Sequence, residues 1–340
     1  GWSQRRRRRK WRDWCDSKFR SAFTLNSATG GTKTQPGISG RPASLWLEEA
    51  NRPHRSGCGR SFIKPEDGRA CRHGDSDREN GTHMPPVLYL IDGHALAYRA
   101  YYALTSGGST RLSTRQGEPT AGIFGFASVM IRLLQEKPDY LAVAFDTGKT
   151  FRDEIFPKYK ATRAKMPDDL RPQIERIRQM VDAFPFPRLE MEGYEADDVL
   201  GSVARLAVDQ GLGVKIITGD RDLLQLVDDR IVVSLPGSRI SDSRDYRAED
   251  VVEYLGVRPD QIIDYKALVG DKSDNIPGVS GVGEKTAVAL LEKYGTLDAV
   301  YAHLGEITGK LRERLEKDRE VAYMSRDLAT IRTDLPVRLD

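Results

Sequence analysis

Val87-Leu88-Tyr89-Leu90-Ile91-Asp92 is an apolar run of strand length that ends on a carboxylate. Three more runs do the same or come within a few residues of it: Leu141 to Asp146, Leu189 to Glu195 and Val214 to Asp220. Between them lie segments of helical period. In 121–135, for instance, Ile123, Phe126, Met130, Leu133 and Leu134 form one stripe. Strands that alternate with helices build a parallel sheet, and such sheets bind ligands beyond the carboxyl ends of their strands. The acids are therefore expected to gather along one edge of an α/β domain.

Further acids follow closely: Asp197 and Asp198 after Glu195, Asp222 after Asp220, and Asp271 and Asp274 in a later loop. Carboxylates crowded together repel one another unless a cation compensates them. An all-oxygen donor set without His or Cys selects hard divalent ions such as Mg²⁺ or Mn²⁺. The pattern predicts a metal-dependent phosphodiesterase. Acids at a helix start also act as ordinary caps, and one of the three at 195–198 is expected to do only that.

Composition divides the chain. All three Cys and all four Trp precede Met84. Residues 1–83 hold 18 Lys+Arg and 9 Asp+Glu, leaving 35 basic and 41 acidic residues in the remainder. Without the nine acids named above, that remainder turns mildly basic, so its negative balance is its expected site. The first 83 residues show no sustained apolar period and carry a basic run from Arg5 to Lys10. They are expected to be a disordered extension, with Met84 as the natural start. A zinc site from His54, Cys58, Cys71 and His73 fits no standard finger spacing. No apolar run is long enough for a signal peptide or membrane span. Free Cys without a secretion signal fit a reducing, cytoplasmic setting.

Beyond Ala248 the chain reads as almost wholly helical to about Ile331. Within it, Pro277 to Ala287 holds Gly278, Gly281 and Gly283 followed by Lys285. Glycines in a turn that opens a helix let backbone N–H groups approach a phosphate, and the helix dipole favours the anion. Such a turn reads no bases, so binding is expected to be sequence-independent and salt-sensitive. A second basic stretch runs from Phe151-Arg152 through Tyr159-Lys160-Ala161-Thr162-Arg163. It is expected to form a cover over the site that is mobile without DNA and ordered with it, where a helix would carry Lys160 and Arg163, three apart, on one face. Lys160 and Arg163 would steady phosphoryl charge, and Tyr159 would give a base a surface to stack on.

From Met84 onward the sequence resembles the N-terminal 5′-nuclease domain of bacterial DNA polymerase I, within the flap endonuclease family. The likeness rests on Leu90 to Arg99, Tyr159 to Arg163, Gly193 to Asp198 and Gly270 to Val279. It implies a PIN-like, mostly parallel sheet flanked by helices (84–245), an arch at 149–171, and a helix–three-turn–helix DNA-binding lobe (246–340). It also implies cleavage of 5′ flaps, nicks and ends, including RNA primer–DNA hybrids, during primer removal, nick translation and repair. Asp92, Asp146, Glu195, Asp197 and Asp198 would hold one metal region, and Asp220, Asp222, Asp271 and Asp274 the second. Lys160 and Arg163 would join Asp92, Asp146, Asp198 and Asp220 in catalysis. Arg99, Arg152, Tyr159, Gly278, Gly281, Gly283 and Lys285 would contact DNA. Turn carbonyls would take a monovalent cation such as K⁺.

The family domain usually precedes polymerase domains, whereas this chain runs from Gly1 to Asp340. A polymerase acting in cis or in trans is therefore the expected partner. Two other classes share part of the pattern, a non-catalytic DNA-junction module and a PIN-like RNase. The intact acid set counts against the first, and the helical lobe against the second.

Overall fold

The computed structural model describes residues 85–105, 112–237 and 242–339. The extension at 1–83, its weighed zinc set, Met84 as a start and residues 106–111 of the first loop lie outside the described residues. β1 (Val87–Asp92) leads to α1 (Gly93–Thr105) and α2 (Ala121–Glu136). β2 (Tyr140–Ala144), α3 (Phe151–Ile155), α4 (Arg171–Asp182) and β3 (Arg188–Leu189) follow. Next come α5 (Ala196–Asp209), β4 (Gly213–Ile217), β5 (Ile231–Pro236) and β6 (Ser243–Tyr246). The chain then turns helical: α6 (Ala248–Leu255), α7 (Ile262–Val269), α8 (Glu284–Tyr294), α9 (Leu297–Ala302), α10 (Gly309–Lys317) and α11 (Arg319–Ala329).

The six strands lie in the order β3-β2-β1-β4-β5-β6. All pairs are parallel except β5–β6. The register sets Asp92 beside Ala144 and Ile91 beside Ile217, so the carboxyl ends of the three central strands finish level. Alternation along each strand decides the layers. Ile91, Leu141 and Val143 face a core made with α1, α2 and α4. Leu88, Leu90, Ala142 and Ala144 face the other way, into a core shared with α5 and the C-terminal helices. Leu90 and Ile91 are fully buried, and each such side chain contributes about 1.5–3 kcal/mol. The second core runs without a break from Leu88 to Leu335, so sheet and helical lobe are packed as one body.

Three features differ from expectation. β2 stops at Ala144, β3 has two residues and β4 stops at Ile217, so Asp146, Glu195 and Asp220 sit in the loops beyond. The antiparallel β6 was not foreseen. Its sequence, Ser-Arg-Asp-Tyr, has one buried residue, Tyr246, and pairing with β5 rather than an apolar pattern makes it a strand. The expected domain boundary at 245/246 falls inside it. The basic stretch after α3 forms successive turns, not a helix carrying Lys160 and Arg163 on one face. Lys160 is left-handed, with φ 55°, a conformation that breaks a helix. No described helix is long and apolar enough to cross a membrane.

Candidate metal centre and nucleic-acid interface

The parallel strands bring their acids to one edge, and a loop of the helical lobe adds two more. Asp92 closes β1, and its carboxylate accepts from the Ala95 N–H (2.9 Å) at the start of α1 and from the Thr218 hydroxyl (2.9 Å) after β4. Asp146 accepts from the Ala196 N–H (2.8 Å), which ties the end of β2 to the first turn of α5. Asp220 accepts from the Asp222 N–H (2.9 Å). Asp271 and Asp274 arrive from the loop after α7, whose ends meet through the Asp271–Ile276 backbone pair.

These carboxylates fall into two electrostatic kinds. Most have a protein cation. Lys160 Nζ donates to Glu195 (2.6 Å), and Arg163 Nε to Asp274 (3.0 Å). Lys266 bridges Asp222 and Asp271. Its charge and hydrogen bonds outweigh burial at Asp271 and hold that carboxyl down at about 2. His94 lies 3.3 Å from Asp146, but burial lowers its pKa, and its Nδ1 accepts the Asp146 N–H (3.1 Å). Asp92, Asp197 and Asp220, by contrast, have no ion-pair partner among the described residues. Burial and the nearby charges of Asp146 and Asp220 push Asp92 up to about 7. Burial, Asp220, Asp92 and Glu195 raise Asp197 well above the usual carboxylate range. Asp222 is lifted to about 7 by burial and Asp220 despite Lys266.

As they stand, no three of these side chains among the described residues form a ready ligand set for one ion. The donor chemistry nevertheless fits hard divalent cations. The set is all oxygen, and the mutual repulsion of Asp92, Asp197 and Asp220 marks a place that lacks positive charge.

Several expected site residues have other partners. Asp198, expected as a ligand, is fully buried. Its two oxygens accept four donors: Arg152 Nη1 and Nη2 (2.7 and 2.8 Å), the Glu195 N–H (3.1 Å) and the Arg332 N–H (2.9 Å). That shell is full, so Asp198 serves as a helix cap and ion-pair partner. Arg152, expected on DNA, is 2% exposed and committed to Asp198. Tyr159 is 7% exposed, with its hydroxyl on Glu195 (3.3 Å) and Asp274 (3.2 Å), so it offers no free face for a base. Gly278 is buried and its N–H donates to Ser325 Oγ (3.1 Å), which removes it from the phosphate-facing set. A Cβ there would lie 2.3 Å from the Gly270 nitrogen at positive φ, so only glycine closes this loop.

The remaining residues keep an accessible place. Gly281, Gly283 and Lys285 are exposed at the start of α8, and Gly283 faces open space. Arg99 donates to the Gly237 carbonyl and lines a small cavity with Thr218 and Gly219, beside Asp92's support. Sequence reasoning missed Lys266 and His94. Lys266 lies five residues before Asp271, one helical turn and a bend away, and that spacing was its only signal.

Residues 87–256 match the family described as 5′-3′ exonuclease, N-terminal resolvase-like domain, and residues 257–340 match 5′-3′ exonuclease, C-terminal SAM fold. The chain belongs to the 5′-3′ exonuclease family. It is 48% identical to DNA polymerase I of Chloroflexus aurantiacus over 260 residues, covering 75% of this chain and 27% of that protein. Against DNA polymerase I of Bacillus subtilis it is 45% identical over 255 residues, covering 74% and 28%. The chain thus spans under a third of these relatives' length. A solved bacteriophage T5 flap endonuclease, described as a pseudo-enzyme–product complex with DNA and metal ions, superposes with a TM-score of 0.59 at 25% identity. That match covers 73% of this chain and 90% of the phage protein. T5 5′-exonuclease with bound divalent zinc gives 0.58 at 25% identity, covering 72% and 89%.

Proposed function

We propose that this chain is a divalent-metal-dependent 5′→3′ exonuclease and 5′-flap endonuclease that hydrolyses DNA and RNA-primer phosphodiesters, with Mg²⁺ or Mn²⁺ as its ions. One observation carries the reading: Asp92, Asp197 and Asp220 crowd one another at the carboxyl edge of the sheet, and among the described residues no ion pair neutralises any of the three. Asp146 and Glu195 would complete the first metal region, and Asp222, Asp271 and Asp274 the second. Bound divalent ions lower the pKa of water and offset charge on the leaving oxygen.

The chain's own groups do the rest. Lys160 and Arg163 stand at the mouth of the acid cluster, where their donors can exchange carboxylate oxygens for those of a scissile phosphate. Lys266 holds Asp222 and Asp271 at one distance from each other. Thr218 and the Ala95 N–H fix the rotamer of Asp92. Gly281, Gly283 and Lys285 would hold duplex phosphates, and a K⁺ ion on turn carbonyls would add to that grip. Direct attack by water leaves a 5′-phosphate. The core at 84–245 would carry the chemistry and the lobe at 246–340 the duplex, working beside a DNA polymerase.

The test is Mg²⁺-dependent cleavage of a labelled 5′-flap duplex set against single-stranded RNA. Flap cleavage abolished by chelator is expected. Tight flap binding without cleavage would identify a junction-binding module instead, and preference for RNA a PIN-like RNase.

A further inference from the structure

Arg152 is the largest fully buried side chain among the described residues. Its guanidinium makes four hydrogen bonds to two other segments and so joins three, counting its own. Nη1 and Nη2 clasp Asp198, Nε donates to the Leu328 carbonyl (2.9 Å), and Nη2 also reaches the Thr330 carbonyl (2.7 Å). Asp198 in turn accepts from the Arg332 N–H. Each segment leads to a part of the site. Arg152 lies on α3, from which the chain passes to Tyr159, Lys160 and Arg163. Asp198 lies in the first turn of α5, which has Glu195 as its N-cap and presents Asp197. Leu328 and Thr330 end α11, whose Ser325 accepts from Gly278 in the Gly-rich turn.

We propose that Arg152 is a positioning residue for the metal centre, which locks the arch base, the Glu195–Asp197 turn and the end of α11 into one arrangement through Asp198. The proposal rests on the metal-nuclease reading and adds to it a residue that touches neither ion nor DNA. Stability alone does not call for this device, since a buried ion pair is often replaceable by apolar residues at no loss. What an apolar pair cannot supply is direction. A planar fork with five donors fixes three backbones at defined angles, which a lysine's single ammonium does not. The Arg152 Nη1 also stands 3.7 Å from Glu195 Oε2, so its placement constrains that carboxylate directly.

The experiment uses the full 340-residue chain with Arg152→Lys and Asp198→Asn. Three quantities are read: Mn²⁺ affinity and stoichiometry without DNA, 5′-flap affinity in Ca²⁺, and the single-turnover rate in saturating Mg²⁺. Arg152→Lys should weaken Mn²⁺ binding at least about tenfold and slow the single-turnover step by a similar factor, the usual cost of losing support behind a ligand. Flap affinity should stay near the parent value. Asp198→Asn should show the same split with the number of bound Mn²⁺ ions unchanged. Loss of flap affinity with normal Mn²⁺ binding would make Arg152 a DNA contact and overturn the proposal. One fewer Mn²⁺ in Asp198→Asn would make Asp198 a ligand and overturn it too. Normal Mn²⁺ affinity in a variant that merely melts at lower temperature would leave only a stabilising role, with the same consequence. A parent chain that binds Mn²⁺ yet cuts no flap would sink the function reading, while the metal titration would still decide the role of Arg152.

Discussion

Raising the pH of the metal-free chain from 5 to 8 should destabilise it, and Asp92→Asn should remove much of that loss. Burial and neighbouring Asp146 and Asp220 push the folded-state pKa of Asp92 up to about 7, against 3.8 for an aspartate in water. An acid with a raised folded pKa binds more protons folded than unfolded. Its stabilising contribution is therefore complete below pH 3.8 and disappears as the pH climbs through 7. Between pH 5 and 8 one such group loses about 2–3 kcal/mol by linkage, or roughly 5–10 °C in Tm for a domain of this size. Asp222 shifts the same way, though it couples to the same neighbours and does not simply add. His94 opposes the trend, because its lowered pKa makes the folded state gain stability as the pH rises through its titration. Asp271, held at about 2, changes stability only in acid below pH 4. Asn suits the site. Its carbonyl can accept from the Ala95 N–H while its amide donates to the Thr218 hydroxyl, which can turn to accept. Thermal melts at half-unit steps, in chelator and in Ca²⁺, make the measurement. Ca²⁺ should stabilise the parent more at pH 8 than at pH 5, as protons stop competing. A pH slope unchanged in Asp92→Asn, or a variant less stable than the parent at pH 8 in chelator, would refute the reasoning.

Lys266→Met strands Asp222 and Asp271 face to face, and should cost the metal-free chain about 3–5 kcal/mol, part of it restored by Ca²⁺ in a denaturant titration. Asp220→Ala should abolish Mg²⁺-dependent flap cleavage with flap binding largely retained; weakened binding at unchanged turnover would contradict its role. Hydrogen exchange should show the Lys160 amide protected even without DNA, since it donates to the Asp274 carbonyl (2.9 Å). Free exchange there would restore the expectation of a mobile arch. A chain beginning at Met84 should fold and cut flaps at the parent rate, measured side by side.

The alternation of strands and helices could be read from residues because β1, β2 and β4 are buried on both faces. Strands of that kind appear as unbroken apolar runs such as Leu88-Tyr89-Leu90-Ile91. β6 escaped because an edge strand with three exposed residues out of four carries no apolar signature. The location of Asp92, Asp146, Glu195 and Asp220 was legible for the same reason as the strands, since each follows a run. Their division of labour was not. It depends on partners far off in sequence: Arg152 lies 46 residues from Asp198, and Lys266 lies 44 from Asp222. Nothing local to Tyr159 distinguishes an exposed stacking ring from one wedged between Glu195 and Asp274, 36 and 115 residues away.

The Glu195-Ala196-Asp197-Asp198 segment shows why counting carboxylates overstates a ligand set. At the start of a helix, successive side chains point in directions about 100° apart, so three acids in four positions cannot all face one ion. Here Asp198 turns inward, caps Glu195 and takes Arg152. Glu195 turns toward the arch and takes Lys160. Only Asp197 is directed at Asp92 and Asp220 with nothing positive committed to it. On the proposed function, the helix that would offer Asp197 to the metal needs Asp198 to fix its own position, and Glu195 would join once Lys160 turns to the phosphate. Asp197→Asn and Asp198→Asn should consequently fail differently. The first should reduce Mn²⁺ stoichiometry or affinity in a chain that melts no lower in chelator than the parent. The second should lower the chelator melting temperature as well, because Arg152 is left as a buried charge without its partner. Equal melting temperatures for the two variants would mean that Arg152 does not depend on the Asp198 charge, and the assignment of the three acids would have to be reversed.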